Sequence, residues 1–152
     1  MASAYSVSHR GVETFSLPPE RLWAEITDAH RFERWWSWLR DLHLEPDRVG
    51  TGSTLTFSIV SPLPYQMHCT VDFVEVIENE RIRTLVSGDL RGWADLSIEA
   101  YESGSRIVLE WELEPTQMPM RLLVRAARPL IMRTKDWAID LALSSFRRNV
   151  GA

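Results

Sequence analysis

The chain has 152 residues, a formal net charge of −4 and a single cysteine, Cys69. This length favours one domain over residues 1–152 that folds without disulfides or a structural metal, and the acidic balance argues against a nucleic-acid partner. No apolar run approaches the roughly 20 residues of a membrane span and no signal peptide is recognisable, so we expect a cytoplasmic protein without stable membrane insertion.

The N-terminal part of the chain carries one strand signal and two helix signals. Residues 5–17 are predicted to form a strand because β-branched and aromatic side chains recur there. Pro18-Pro19 suits the first turn of a helix that ends near Asp28, and residues 29–36 are predicted to form a second short helix.

Six further strands are predicted from the alternation of apolar and polar residues. They cover residues 38–45, 54–61, 65–77, 81–87, 90–102 and 106–114. In the last of these, Ile107, Leu109 and Trp111 alternate with polar residues, which is typical of a sheet with one dry face and one wet face. The apolar face changes after Phe73, which predicts a β-bulge near Phe73-Val74.

The C-terminal residues 120–150 are predicted to form one long helix, because apolar residues recur there at helical spacing. Pro129 is expected to bend this helix or to split it in two. The apolar face of consecutive antiparallel strands needs a cover, and the last helix is the element long enough to supply it. We therefore predict an α+β, helix-grip architecture: a curved antiparallel sheet of about six or seven strands around a long C-terminal helix.

Several segments resemble the START-like superfamily of helix-grip proteins, also called SRPBCC proteins, and within it the polyketide cyclase/dehydrase and lipid transport branch. The matching segments are Leu17–Trp23 with Asp28, Phe32–Trp36, Val49–Gly52, Pro64-Tyr65, Gly88–Gly92 and Trp111. They span nearly the whole chain and imply the helix-grip fold. They do not imply one activity, because the superfamily includes aromatase/cyclases, lipid and sterol carriers, hormone receptors, quinone-binding proteins and co-chaperone-like activators.

The inward faces of the predicted elements define a candidate ligand-binding surface. A gap between a curved sheet and a helix is typically apolar, with a few polar groups. The candidate lining residues are Phe15, Trp36, Leu55, Phe57, Met67, Cys69, Val71, Leu96, Leu109, Trp111, Leu123, Ala127, Leu130, Thr134 and Trp137. We expect about half of these side chains to touch a ligand and the others to form core.

Glu13 is a weak candidate for a catalytic residue. On strict alternation it shares a face with Phe15, so its carboxyl group would point into the apolar space and could act as a general acid or base. The alternative is a bulge or a strand end at which Val12 and Thr14 point inward instead.

The other polar residues form no recognisable metal or catalytic motif. His9, His43 and His68 lie on separate predicted strands without ligand spacing, so neither a metal site nor a cofactor is predicted. Arg91 and Asp95 could supply hydrogen bonds to a ligand, but their place in the alternation favours the solvent side.

These observations favour the binding of a small hydrophobic ligand, lipid-like, aromatic or polyketide-like, in a cavity between the sheet and the C-terminal helix. One alternative is a polyketide cyclase/dehydrase-type enzyme. It is weakened because the resemblance implies an Asn-His-Asp triplet where this chain has Thr134-Lys135-Asp136. The other alternative is a ligand-sensing regulatory module. The identity of the ligand and the oligomeric state are open from the sequence.

Overall fold

The computed structural model describes residues 6–28, 31–32, 36, 38–46, 48–60 and 66–150, and of residues 119–120, 131–138 and 149–150 it describes the backbone alone. The strands are β1 Val7–Phe15, β2 Leu39–Glu45, β3 Thr54–Ile59, β4 Met67–Ile77, β5 Arg81–Gly88, β6 Leu90–Tyr101 and β7 Gly104–Pro115. The helices of the described part are α1 Pro19–Ile26, α2 Met118–Ala126 and α3 Arg128–Val150. The second short helix predicted over residues 29–36 falls mostly outside the described residues.

All seven strands form one curved antiparallel sheet in the order β1-β7-β6-β5-β4-β3-β2. The first strand pairs with the last one, from Val7 opposite Leu113 to Phe15 opposite Ser105. The chain therefore crosses from one edge of the sheet to the other between β1 and β2, and it then returns by successive antiparallel neighbours. The predicted α+β architecture is confirmed.

Two irregularities in the strands help the sheet to curve. The register between β4 and β5 shifts between Phe73 and Glu75, which confirms the predicted bulge. A second shift lies in β2 between Arg40 and His43. Because a bulge adds local twist and bends its strand, these two positions bend the β2–β4 side of the sheet.

The predicted effect of Pro129 on the C-terminal helix is also confirmed. The helical pattern is interrupted at Ala127, so that α2 ends at Ala126 and α3 begins at Arg128. Pro129 is the second residue of α3, where the missing N–H of proline costs no helical hydrogen bond.

The inner face of the sheet is the face that α3 partly covers. Phe15, Ile98 and Ile107 lie on this face and form a buried cluster with Phe146 of α3. The rings of Phe15 and Phe146 meet edge to face, with centroids 5.8 Å apart. We call this end of the sheet, where β6 turns into β7, the packed end, and we call the opposite end, where β7 leads into α2, the far end.

A second buried cluster, formed by Leu44, Leu55 and Phe73, adjoins the first. Phe32, Val76 and Ile82 pack against both clusters and connect them. Together the two clusters form the hydrophobic core, and the middle of the inner face adjoins it, since Leu96 packs against the first cluster and Phe57 and Val71 pack against the second.

Candidate ligand-binding site

The middle of the inner face is apolar but incompletely covered. Six of the predicted lining side chains lie there and are only half-buried: Phe57, Met67, Val71, Leu96, Leu109 and Trp111. By comparison, Phe15 and Ile107 at the packed end are 6% and 7% exposed. Phe146 of α3 and Leu22 and Trp23 of α1 cover the packed end, whereas the side chains in the middle of the face keep part of their surface accessible.

Four other predicted lining residues are held by the surrounding protein. Phe15 and Leu55 belong to the two buried clusters, and Cys69 is 3% exposed. Trp36 is half-buried, and its indole Nε1 donates a hydrogen bond to the carbonyl oxygen of Ala142 in α3, at 3.2 Å. These residues form the frame around the accessible surface, and their contact with a ligand stays a prediction.

The predicted lining residues of the helices are less enclosed. Ala127 is half-buried at the junction of α2 and α3, whereas Leu123 is 39% exposed and Leu130 is 63% exposed. The side chains of Thr134 and Trp137 lie outside the described part of the structure. The structure therefore does not bring Leu130 together with the residues of the inner face.

Glu13 points toward the inner face. The register between β1 and β7 is continuous from Val7 to Phe15, and Val12 and Thr14 are exposed on the opposite side. The alternative in which Val12 and Thr14 point inward is therefore wrong, because β1 contains no bulge.

The carboxylate of Glu13 is engaged by the C-terminal helix. Arg147 Nη2 of α3 donates a hydrogen bond to Glu13 Oε2 at 3.3 Å. The same guanidinium group lies 4.1 Å from the centroid of the Phe15 ring. The two charged side chains are 31% and 36% exposed, so this ion pair lies at the boundary between the packed end and the accessible part of the inner face.

His9 continues this polar edge along β1. Its ring lies over Gly11, since a Cβ atom placed on Gly11 would be 2.8 Å from His9 Nε2. The ring also lies against Trp111 of β7, with centroids 5.7 Å apart. His9, Glu13 and Arg147 therefore provide a polar strip beside the apolar wall, and such a strip can orient the polar group of a bound molecule.

Cys69 is a poor nucleophile in this environment. Burial, the largest effect, raises the pKa of its thiol from 9.0 to about 11, although a hydrogen bond with the backbone of Leu90 lowers it. The charge of Asp89 adds to the rise. The thiol is therefore protonated at neutral pH and acts as a small apolar side chain.

The residues predicted to face solvent do so. Arg91 Nη2 donates to Glu114 Oε1 at 2.7 Å on the outer face, and Asp95 forms an ion pair with Arg83 at 3.6 Å. Both side chains therefore lie on the face of the sheet that points away from the candidate site.

The described residues contain neither a metal-binding cluster nor a membrane-spanning helix. Within the described residues, no three His, Cys, Asp or Glu side chains are grouped closely enough to bind a metal ion. No helix of the described part combines the length and the hydropathy that a membrane crossing needs.

Sequence reasoning missed three features of this site. Ala94 lies on the inner face opposite Trp111, and the alternation of β6 already contained that signal. His9 was not predicted to belong to the site, because the sequence shows no neighbouring residue that would contact it. Arg147 was not predicted to belong to it either, because no local pattern could have paired it with Glu13.

The strand order and the C-terminal helix on the inner face define the helix-grip fold of the START-like superfamily. The chain belongs to the family described as Activator of Hsp90 ATPase homolog 1-like protein, whose sequence model matches residues 16–141. The predicted superfamily is thereby confirmed, and the polyketide cyclase/dehydrase branch stays a prediction. A comparison with curated proteins finds no match.

Solved structures share this fold over nearly their whole length. A conserved protein from Geobacillus kaustophilus is 9% identical with a TM-score of 0.75, and the similarity covers 95% of each chain. A protein from Thermus thermophilus is 17% identical with a TM-score of 0.73, covering 95% of this chain and 97% of the other. Ara h 8.0201 is 12% identical with a TM-score of 0.66 and the same coverage. At these identities the similarity concerns the fold alone.

Proposed function

We propose that this protein binds a small hydrophobic molecule between the inner face of the sheet and α3. The observation that carries the proposal is the difference in burial along one apolar face. Phe15 and Ile107 are buried in a cluster with Phe146, Leu22 and Trp23, whereas Leu96, Leu109 and Trp111 on the same face remain half-buried. Apolar surface left accessible inside a fold favours a ligand, because covering it removes that surface from water.

The polar strip indicates what kind of molecule fits. A polar group of the ligand would lie beside His9 and the Glu13–Arg147 ion pair, while an apolar body would cover the apolar wall. A molecule with an apolar body and one polar end satisfies both parts of the surface. Lipid-like, aromatic and polyketide-like molecules all have this form.

The proposal is tested with a hydrophobic fluorescent probe and one enlarged side chain. Ala94 lies on the inner face between Thr84 and Trp111, so Ala94→Phe should fill the space and abolish probe binding. The matched control is Ala100→Phe, since Ala100 lies on the same strand but is exposed near the turn into β7. Probe binding that is equal in both variants would remove the proposed site, provided that both variants unfold like the parent protein.

A second candidate function is catalysis of the polyketide cyclase/dehydrase type. The inward position of Glu13 favours it, because a carboxyl group at an apolar wall can transfer protons. Its ion pair with Arg147 must open before the carboxylate can act as a base. Glu13→Gln should then abolish turnover of a poly-ketone substrate and keep probe binding, whereas a variant that retains turnover would exclude this role.

A third candidate is a regulatory module that senses its ligand, and the family match favours it. The family description names an activator of an Hsp90 ATPase. If this chain acts in that way, it should raise the ATPase rate of an Hsp90-type chaperone, and the Ala94→Phe variant should alter that increase. An unchanged ATPase rate would exclude this candidate.

A further inference from the structure

Helix α2 presents an apolar face to solvent. Met118 is 57% exposed and Leu122 is 53% exposed. They lie one helical turn apart on the side opposite Val124, which is buried. Leu130, just after the junction with α3, is 63% exposed. We call the exposed residues Met118, Leu122 and Arg125 the α2 surface.

The same segment concentrates positive charge. Residues 116–135 contain five of the 17 Arg and Lys residues and none of the 21 Asp and Glu residues. The rest of the chain is therefore strongly acidic. Arg125 is exposed on the same side of α2 as Leu122, so one exposed cation adjoins the apolar side chains of the α2 surface, while Arg121 and Arg128 are half-buried. This combination complements a partner that is anionic and accepts apolar side chains.

The position of the α2 surface in the fold is also informative. α2 follows Pro115 at the end of β7. Arg128 Nη1 donates a hydrogen bond to the carbonyl oxygen of Ser6 at 2.7 Å, next to the start of β1. Both contacts place α2 and its junction with α3 at the far end of the sheet, away from the cluster that closes the packed end.

We propose that the α2 surface binds reversibly to the surface of an anionic lipid bilayer. A bilayer accepts separate protruding apolar side chains, because lipid tails need no matching pocket, and its anionic head groups attract the adjoining arginines. A protein partner would instead need a complementary groove for a short convex helix. Together with the proposed function, on which this consequence depends, the α2 surface would let a hydrophobic ligand pass between the membrane and the far end of the inner face.

The test is sedimentation of the whole protein with phosphatidylcholine vesicles, with and without phosphatidylglycerol. We expect the protein to sediment with the anionic vesicles alone and to be released by salt. Leu122→Glu and Arg125→Glu should each lower the bound fraction at least about fivefold. The matched controls are Leu141→Glu and Arg148→Glu, since Leu141 is 51% exposed and Arg148 is exposed, both on α3.

The inference is overturned if the parent protein does not bind anionic vesicles at low salt, which would leave an acidic protein as the partner of this surface. It is also overturned if the control variants lose binding as strongly as the variants in α2. Probe binding without vesicles separates the two proposals. If the probe binds and the vesicles do not, only this inference fails, whereas vesicle binding without probe binding removes the proposed function and leaves the α2 surface.

Discussion

Glu13 and Arg147 are 134 positions apart in the chain, and their side chains meet on the inner face with 3.3 Å between Oε2 and Nη2. The contact joins the first strand to the last turns of the C-terminal helix. Arg147 also lies over the ring of Phe15, so its guanidinium group contacts both Glu13 of the polar strip and Phe15 of the buried cluster. This residue therefore links the stability of the packed end to the polarity of the proposed site.

Replacing Arg147 by methionine should lower the free energy of unfolding by about 1 kcal/mol. Both charges are partly exposed, so the ion pair contributes little, and the cation over the Phe15 ring adds a similar amount. Urea unfolding of the variant measures the change. Arg148→Met is the control, because Arg148 is exposed and its loss should have almost no effect. Equal decreases in the free energy of unfolding of the two variants would contradict a specific stabilising role for Arg147.

Phe146→Ala should destabilise the protein strongly. Phe146 is 5% exposed and packs edge to face on Phe15, and removal of a buried aromatic ring costs about 3–5 kcal/mol. Chemical denaturation gives the value. Leu141→Ala on the same helix should change the stability by less than about 0.5 kcal/mol, since Leu141 is 51% exposed. If the two substitutions cost the same, α3 does not pack on the sheet through Phe146.

Cys69 should react slowly with thiol reagents in the folded protein. Its pKa of about 11 leaves little thiolate at pH 8, and burial blocks access, so the folded protein should react at least about tenfold more slowly than the chain in urea. Cys69 is the single cysteine of the chain, so the whole signal belongs to it. Equal rates in the two states would show that the thiol is accessible.

The same thiol predicts a dependence of stability on pH. Because the pKa is raised on folding, the folded protein holds the thiol proton when the unfolded chain has lost it. The stabilisation is complete below pH 9.0 and is lost as the pH rises toward about 11. A Cys69→Ala variant should lack this part of the alkaline loss of stability. The prediction is wrong if the parent protein and the variant lose stability in parallel over that range.

Gly92→Ala should lower the stability by more than about 1 kcal/mol. Gly92 has a φ of 153°, and a Cβ atom at this position would lie 1.9 Å from the carbonyl oxygen of Glu112 in β7. The pairing of β6 with β7 would have to open. Gly50→Ala serves as the control because the nearest atom to its added Cβ is Ser53 Oγ at 3.9 Å. The midpoints of thermal unfolding of the two variants are compared. Similar midpoints would refute the close approach of Gly92 to the carbonyl oxygen of Glu112.

Local patterns predicted most of the fold. The alternation of residues 106–114 predicted a strand with one dry face, and β7 covers these residues as part of Gly104–Pro115. The change of face after Phe73 predicted the bulge that the register shows. The site was predicted less completely: Leu96, Leu109 and Trp111 lie on the accessible inner face, while Leu130 is 63% exposed, because helical spacing shows which residues share a face but not which way that face turns.

The sequence by itself determined which residues form the seven strands, the helix after Pro18 and the C-terminal helical region, and where Pro129 acts on that region, and it left two alternatives for the face of Glu13. Each of these depends on sterics and periodicity over a few neighbouring residues. Only the tertiary structure decided that Arg147 meets Glu13, that His9 lies against Trp111, and that Phe146 closes one end of the inner face. These contacts join residues far apart in the chain, so they depend on how the first and last strands pair and on how α3 lies across them, which no local pattern contains.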